Sequence, residues 1–148
     1  MLAADLPVVA ELARQSMDGA WSFDQLADEL KIGYGLQLVV EENHELCGYI
    51  MFRQVKSEAE LLQLAVLPVY RRRGLASGLL DSGIQQLCSR QARVLFLEVR
   101  RNNQSARFFY EQAGFSRIGI RKRYYSRPVD DAVVMKRVVR NGGQYGKK

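Results

Sequence analysis

Two cysteines, one histidine and no long apolar run set the first limits on this chain of 148 residues. Cys47 and Cys88 lie among apolar neighbours without metal-ligand spacing, so neither a disulfide framework nor a metal site is expected. Both read as core cysteines of a reducing compartment. His44 falls in a polar turn with no link to either cysteine, which leaves a Cys–His nucleophile without support and His44 at the surface. Nothing approaches the ~20 consecutive apolar residues that cross a bilayer. The opening stretch MLAADLPVVAELARQS has no basic n-region and no cleavage pattern, so the expected compartment is the cytoplasm. Internal repeats and linkers are lacking too.

What is present is a hydrophobic content of 47%, enough for one sizeable core. One domain over residues 1–140 is expected, followed by a disordered, Gly- and Lys-rich tail at 141–148. The formal charge of +6 points to an anionic partner. Basic residues cluster at 71–73, at Arg100-Arg101, over 117–127 and at the end of the chain. Aromatic interleaving occurs only at Tyr124-Tyr125 and no nucleic-acid motif is visible, so direct nucleic-acid binding is not expected. The first cluster suits a phosphate-rich ligand. The others read as solvated faces.

Residues 61–80, LLQLAVLPVYRRRGLASGLL, carry the densest information. Positions 61–67 form an apolar run broken only by Gln63 and read as a buried strand, which Pro68 ends for want of an N–H. From Leu75 onward Leu79, Leu80, Ile84, Leu87 and Cys88 follow helical spacing and mark one buried stripe. Between strand and helix lie Arg71, Arg72, Arg73, Gly74, Leu75, Ala76 and Ser77. Gly74 and Ala76 leave the backbone bare, so N–H groups at a helix N-terminus can converge on a pyrophosphate beside the arginines. No Gly-Lys-Ser/Thr follows, which excludes a P-loop.

Elsewhere Asp5 can cap a helix with Val8, Val9 and Leu12 on its apolar side, and Pro7 is tolerated in its first turn. Ser22 and Gln25 form a capping box that opens a second helix through Leu30, broken by Gly33-Tyr34-Gly35. Residues 36–41 and 46–55 read as antiparallel strands around a turn at 42–45, and 56–60 turn into the strand at Leu61. After the long helix, 93–99 is another buried strand. Asn103 caps a short helix bearing Ala106, Phe109, Tyr110 and Ala113, with Gly114 at its end. Two strands, 115–121 and 131–139, follow.

The motif Arg71-x-x-Gly74-x-Ala76 and this order of elements resemble the GNAT N-acetyltransferases. The resemblance implies an α/β (α+β) fold: a mixed, mostly antiparallel central sheet flanked by about four helices. Such folds usually begin with a strand, yet only four residues precede Asp5, so that edge strand is expected to be short or missing. Acetyl-CoA is the implied cosubstrate, with no metal.

Acetyl transfer to an amine requires a base for the amine and an acid for the departing sulfur. Glu98 is the only charge inside the apolar strand LFLEV, where a lone carboxylate needs a role or a partner. Its structural alternative is an ion pair with Arg100 or Arg121. Tyr110 follows on the next helix, with core packing as its alternative role.

Leu97-Glu98-Val99-Arg100, Asn103, Tyr110-Glu111, Ala113-Gly114-Phe115, Arg123-Tyr124-Tyr125 and Asp131-Ala132 are similar to the RimI-like N-terminal acetyltransferases, which act on the alanine N-terminus of ribosomal protein S18. Carried over by position, the resemblance makes Glu98 the base acting through water and Tyr110 the acid that protonates the sulfur. Asn103 and Tyr110 become cosubstrate contacts, and backbone groups of Leu64 and Val66 hold the pantetheine arm. Trp21, Tyr34 and Tyr125 become candidates for the peptide groove, and a monomer or weak dimer is expected. Many relatives have Asn-Ile-Ala-Val-Asp-Pro where this chain has Gln63-Leu64-Ala65-Val66-Leu67-Pro68. The alternatives are a GNAT acting on a small amine or a protein lysine, and a non-enzymatic acyl-CoA-binding or RNA-associated module. Glu60 is the next candidate base.

Overall fold

Each amphipathic helix and each alternating strand of this chain has a face that must leave water, and one sheet takes helices on both of its sides. The computed structural model describes residues 1–16, 21–71, 73–126 and 128–139. Its helices are α1 (Leu6–Ser16), α2 (Phe23–Leu30), α3 (Leu75–Ser89) and α4 (Gln104–Gln112). Its strands are β1 (Gly35–Glu42), β2 (Glu45–Val55), β3 (Glu58–Val66), β4 (Val94–Arg100), β5 (Ser116–Ser126) and β6 (Val129–Val138). They form one sheet in the order β1-β2-β3-β4-β6-β5. All neighbours are antiparallel except β3 and β4, which α3 joins as a crossover.

On one face Leu80, Ile84 and Leu87 of α3 pack with Ile50, Phe52, Leu95 and Leu97, and Tyr110 of α4 joins them. On the other, Val9, Leu12 and Ala13 of α1 and Leu26 of α2 cover Tyr49, Met51 and Ala65. Two buried polar pairs lie on this second face. The Tyr49 hydroxyl donates to Gln63 Oε1 at 2.6 Å, and Arg53 holds the buried Glu29 with contacts of 2.7 and 3.3 Å.

Local signals set the helix ends. Ser22 N–H donates to Gln25 Oε1 at 2.8 Å and Gln25 N–H to Ser22 Oγ at 3.2 Å, closing the capping box of α2. Asn103 Oδ1 accepts from Ala106 N–H at 3.2 Å, and Gly114, at φ +96°, ends α4 in the left-handed region. The start of α1 differs from the reading above. Asp5 belongs to a 3-10 turn, Ala3–Asp5, and accepts from Leu2 N–H at 2.7 Å instead of capping the helix. Val8 is 51% exposed; the buried stripe runs through Leu6, Val9, Leu12 and Ala13. The adjacent pair Val8-Val9 left that phase ambiguous by one residue. No strand precedes α1 among the described residues, and a single contact from Met1 N to Gln37 O at 3.1 Å reaches the β1 edge.

Several strands outrun their expected bounds: β3 begins at Glu58, β5 continues to Ser126, and β6 begins at Val129. A feature of β3 has no counterpart in the sequence reading. Met51 pairs with Gln63 but Phe52 with Leu61, so Leu62 is an extra, unpaired residue, a β-bulge. It reverses the alternation of the strand. Ala59 and Leu61 face α3, and beyond the bulge Leu64 and Val66 do so as well.

α3 sits close to the sheet at Gly83, where an added Cβ would overlap the ring of the fully buried Phe52. Gly83→Val should destabilise the fold by about 3 kcal/mol, because a packed core resists added volume. Phe52→Leu should recover part of that loss in the double variant, and urea unfolding of the four proteins measures the coupling.

Candidate active site

The parallel pairing of β3 with β4 covers only Glu58, Ala59 and Glu60 against Val94, Leu95 and Phe96. Beyond it the strands part. Leu67 N–H donates to Cys47 O at 2.9 Å, so the alternating β2–β3 ladder binds residues 67, 65 and 63 to β2. Leu64 and Val66, between them, aim their backbone groups away from β2, toward the opening. That opening is a cleft of about 880 Å³ lined by residues 61–66 of β3, by Glu98, Val99 and Arg100 of β4, and by Asn103, Ala106 and Tyr110 near α4.

Glu98 and Tyr110 reach the cleft from opposite sides of the sheet. Leu95, Leu97 and Val99 pack toward α3 and α4, so Glu98, in alternate register, faces the other way. Tyr110 stands on α4, edge-on to Phe109 and Phe115. Its ring is 8% exposed, and burial moves its phenol well above the usual range, with Tyr125 adding to the shift. Glu98 is ion-paired with Arg121 Nε, and its carboxylate is the chief cause that moves the Tyr124 phenol above its usual range. The structural alternative for Glu98 is therefore physically present beside its place in the cleft. Glu60, one strand over, does not line the cleft. Burial raises its carboxyl above the ordinary value, the charge of Glu98 adding to the effect and Arg53 and Arg121 opposing it.

The expected anion cradle falls at the start of α3, where Arg71 and Ala76 line the cleft and Gly74 does not. Gly74 occupies the N-cap at φ +77° and carries no side chain to bond the first free N–H groups of the helix. The space where its Cβ would stand is open. Ala76 lines the cleft, whereas Ser77 is exposed outside it. The arginines behave differently from the expected charge cluster. Arg71 lines the cleft but donates to Val66 O at 3.1 Å and to Ser16 O at 3.2 Å. Arg73 pairs with Glu42 at 3.0 Å. Arg72 lies outside the described residues, as do positions 140–148, which include the expected tail.

Of the other expected residues, Asn103 lines the cleft while its Oδ1 caps α4. Tyr125 lines it as well, under the Arg100 guanidinium at 4.2 Å, and burial pushes its phenol up to about 12. Trp21 and Tyr34 stand apart from the cleft lining. Trp21 packs on the α1–α2 core and Tyr34 is 50% exposed at the turn before β1. His44 is exposed, and Cys47 and Cys88 are buried thiols whose pKa burial raises, the reverse of what a nucleophile needs. Sequence reasoning did not single out the end of α1 (Gln15, Ser16) or the β5–β6 corner (Pro128, Asp130), which also line the cleft. Neither carries a local motif; the sheet alone brings them together. Among the described residues no group of His, Cys, Asp and Glu could hold a metal, and no helix is long and apolar enough to cross a membrane.

The split sheet, the bare helix start and a carboxylate and a phenol facing one another across the gap leave a cleft with room for a nucleotide thioester. The chain belongs to the acetyltransferase (GNAT) family, whose model matches residues 6–115. It is 38% identical over 136 residues to the [ribosomal protein bS18]-alanine N-acetyltransferase of Haemophilus influenzae, covering 90% of this chain and 92% of that one. The crystal structure of the ribosomal-protein-S18-alanine N-acetyltransferase from Escherichia coli superposes with a TM-score of 0.88 at 29% identity, over 97% of this chain and 94% of that one. Ard1 from Thermoplasma volcanium superposes at 0.90 with 25% identity, over 95% of each chain.

The left-handed φ of Gly74 makes one prediction sharp. Gly74→Val should weaken CoA binding by roughly tenfold or more, since a β-branched residue is strained there and shields the helix start. Calorimetric titration with CoA checks this; wild-type affinity in the variant would remove the cradle assignment.

Proposed function

We propose that this acetyltransferase moves the acetyl group of acetyl-CoA directly to the N-terminal α-amine of a protein, with an alanine N-terminus of the bS18 kind as its acceptor. The carrying observation is the pair Glu98 and Tyr110, set on opposite faces of the sheet yet lining one cleft where β3 and β4 part. The Haemophilus influenzae and Escherichia coli relatives named above are N-acetyltransferases of that alanine. The lining supports a peptide over a polyamine. Arg14, Arg71 and Arg100 outnumber Glu98 and Asp130, so the cleft is not the acidic pocket that a small polycation requires.

The residues present fit the cosubstrate. Backbone groups of Leu64 and Val66 have no strand partner on the cleft side, and the start of α3 offers free N–H groups beside open space at Gly74. These groups, with Ala76 and Asn103, would hold acetyl-CoA, which supplies an activated thioester carbonyl. The chain does the rest. Glu98, oriented by Arg121, takes a proton from the incoming amine through water. Tyr110, kept protonated by burial, gives a proton to the departing sulfur. Tyr125 forms one wall for the peptide. The buried cysteines take no part.

The deciding experiment incubates the protein with acetyl-CoA and peptides that differ in their first residue, read by mass. Peptides beginning with alanine should gain acetyl at the α-amine, and N-formylated copies should gain nothing. Acetyl on lysine side chains of blocked peptides would overturn the reading.

Two variants separate the roles. Glu98→Gln should lower kcat/KM by roughly 10²-fold or more at acidic pH, where the amine is mostly protonated and a general base matters most. Raising the pH should partly restore it, because an α-amine of pKa ~8 loses its proton unaided. If Glu98→Gln is fully active at acidic pH, the Arg121 ion pair is the whole role of Glu98. Tyr110→Phe should lose activity evenly from about pH 6 to about pH 9, since burial holds the phenol above its usual ~10 and it stays protonated throughout. A deficit confined to the acidic end would exclude Tyr110 as the acid.

A further inference from the structure

Beyond Leu67, the described residues of the loop that leads to α3 hold one regular element, the 3-10 turn Pro68–Tyr70. Two side chains of the loop reach sideways to the tip of the β1–β2 hairpin. The Tyr70 hydroxyl donates to Glu45 Oε1 at 2.5 Å, and Arg73 Nη1 meets Glu42 Oε1 at 3.0 Å. Arg73 also lies over the Tyr70 ring at 5.3 Å, so the two contacts brace each other. The hairpin tip is itself fixed. Asn43 and His44 both take positive φ, the form of a tight two-residue turn that sets Glu42 and Glu45 side by side. Glu42 and Glu45 are partners in the β1–β2 register, so the tip presents them together.

We propose that Glu42, Glu45, Tyr70 and Arg73 form a latch by which the β1–β2 hairpin positions the cradle loop for cosubstrate binding, with Arg73 a positioning residue and not a phosphate ligand. The inference rests on acetyl-CoA being the cosubstrate. Its physical content is entropic: a loop held in its binding shape loses less freedom when a ligand arrives. Exposed pairs contribute little to global stability, so the latch shows in binding and not in unfolding.

The two possible roles of Arg73 predict opposite signs for one substitution. If Arg73 is a phosphate ligand held in reserve, Glu42→Gln frees it and CoA binds more tightly. In the latch, Glu42→Gln releases the loop and CoA binds about threefold more weakly. Tyr70→Phe should do the same, and the double variant about tenfold, with kcat unchanged and the KM for acetyl-CoA raised in proportion. Affinity is read by calorimetry with CoA on the full chain, which needs no acceptor, and thermal unfolding is recorded for every variant. Weaker binding with an unchanged melting temperature supports the latch. Tighter or unchanged binding in Glu42→Gln overturns it, and so does a loss of affinity that only parallels a loss of stability. If the unaltered protein fails to bind CoA, the acetyl-CoA reading itself falls, an outcome separate from any behaviour of the variants.

Discussion

A parallel strand pair that ends after three residues is the constraint on which the rest of this molecule depends. Backbone N–H and C=O groups in a sheet interior require partners, and β3 and β4 abandon one another beyond Glu60 and Phe96. The unpaired residue at Leu62 accompanies that parting. A bulge bends its strand and increases the local twist, which carries residues 63–66 away from β4 while β2 still holds them. What remains is a central strand with one satisfied edge and one open edge. Arg71 closes part of the open edge by donating to Val66 O. The rest is a template for a ligand with alternating polar groups of its own.

Arg71 shows how the fold divides a run of like charges. Its planar fork suits two carbonyl acceptors at once, Val66 O at the end of β3 and Ser16 O at the end of α1. One side chain thereby joins both sides of the sheet at the mouth of the cleft. Arg73, two residues on, turns to the β1–β2 hairpin. Among the described residues, what the start of α3 offers an anion is therefore chiefly backbone, N–H groups and helix dipole together. The motif is better understood as a bare helix N-terminus with anchored flanks than as a basic patch.

Local chemistry made much of this fold legible. The Ser22–Gln25 capping box, the Asn103 cap, Gly114 and the stripe from Leu79 to Cys88 each act within one or two turns, so a short window of sequence contains the whole interaction. Glu98 and Tyr110 stood out because a carboxylate in an apolar strand calls for a reason, and both line the cleft. The bulge was not legible. In LLQLAV nearly every position is apolar, so the residue that reverses the alternation leaves no trace in the pattern. Nor could a cluster of arginines reveal its partners: Glu42 and Ser16 are far from Arg73 and Arg71 in sequence and meet them only across the fold. Trp21 and Tyr34, which stand apart from the cleft lining, show how little an aromatic residue alone says of its place, since it suits a groove, a core and a surface turn alike.

The two faces of the sheet bear on the chemistry. Glu98 belongs to the face covered by α1 and α2, and Tyr110 to the face covered by α4. In an unbroken sheet these groups would be separated by a layer of hydrogen-bonded backbone. The gap between β3 and β4 is a passage through that layer, so an acceptor approaching from one face can meet a thioester held on the other. With the roles proposed above, proton removal and proton delivery would be kept apart by geometry: the carboxylate would serve the side where the amine enters, the phenol the side where sulfur leaves. A carboxylate on the sulfur side would oppose a departing anion, and a buried phenol on the amine side would be a poor base. On that proposal transfer needs no covalent stage, and the passage between the strands is the structural element that both half-sites share.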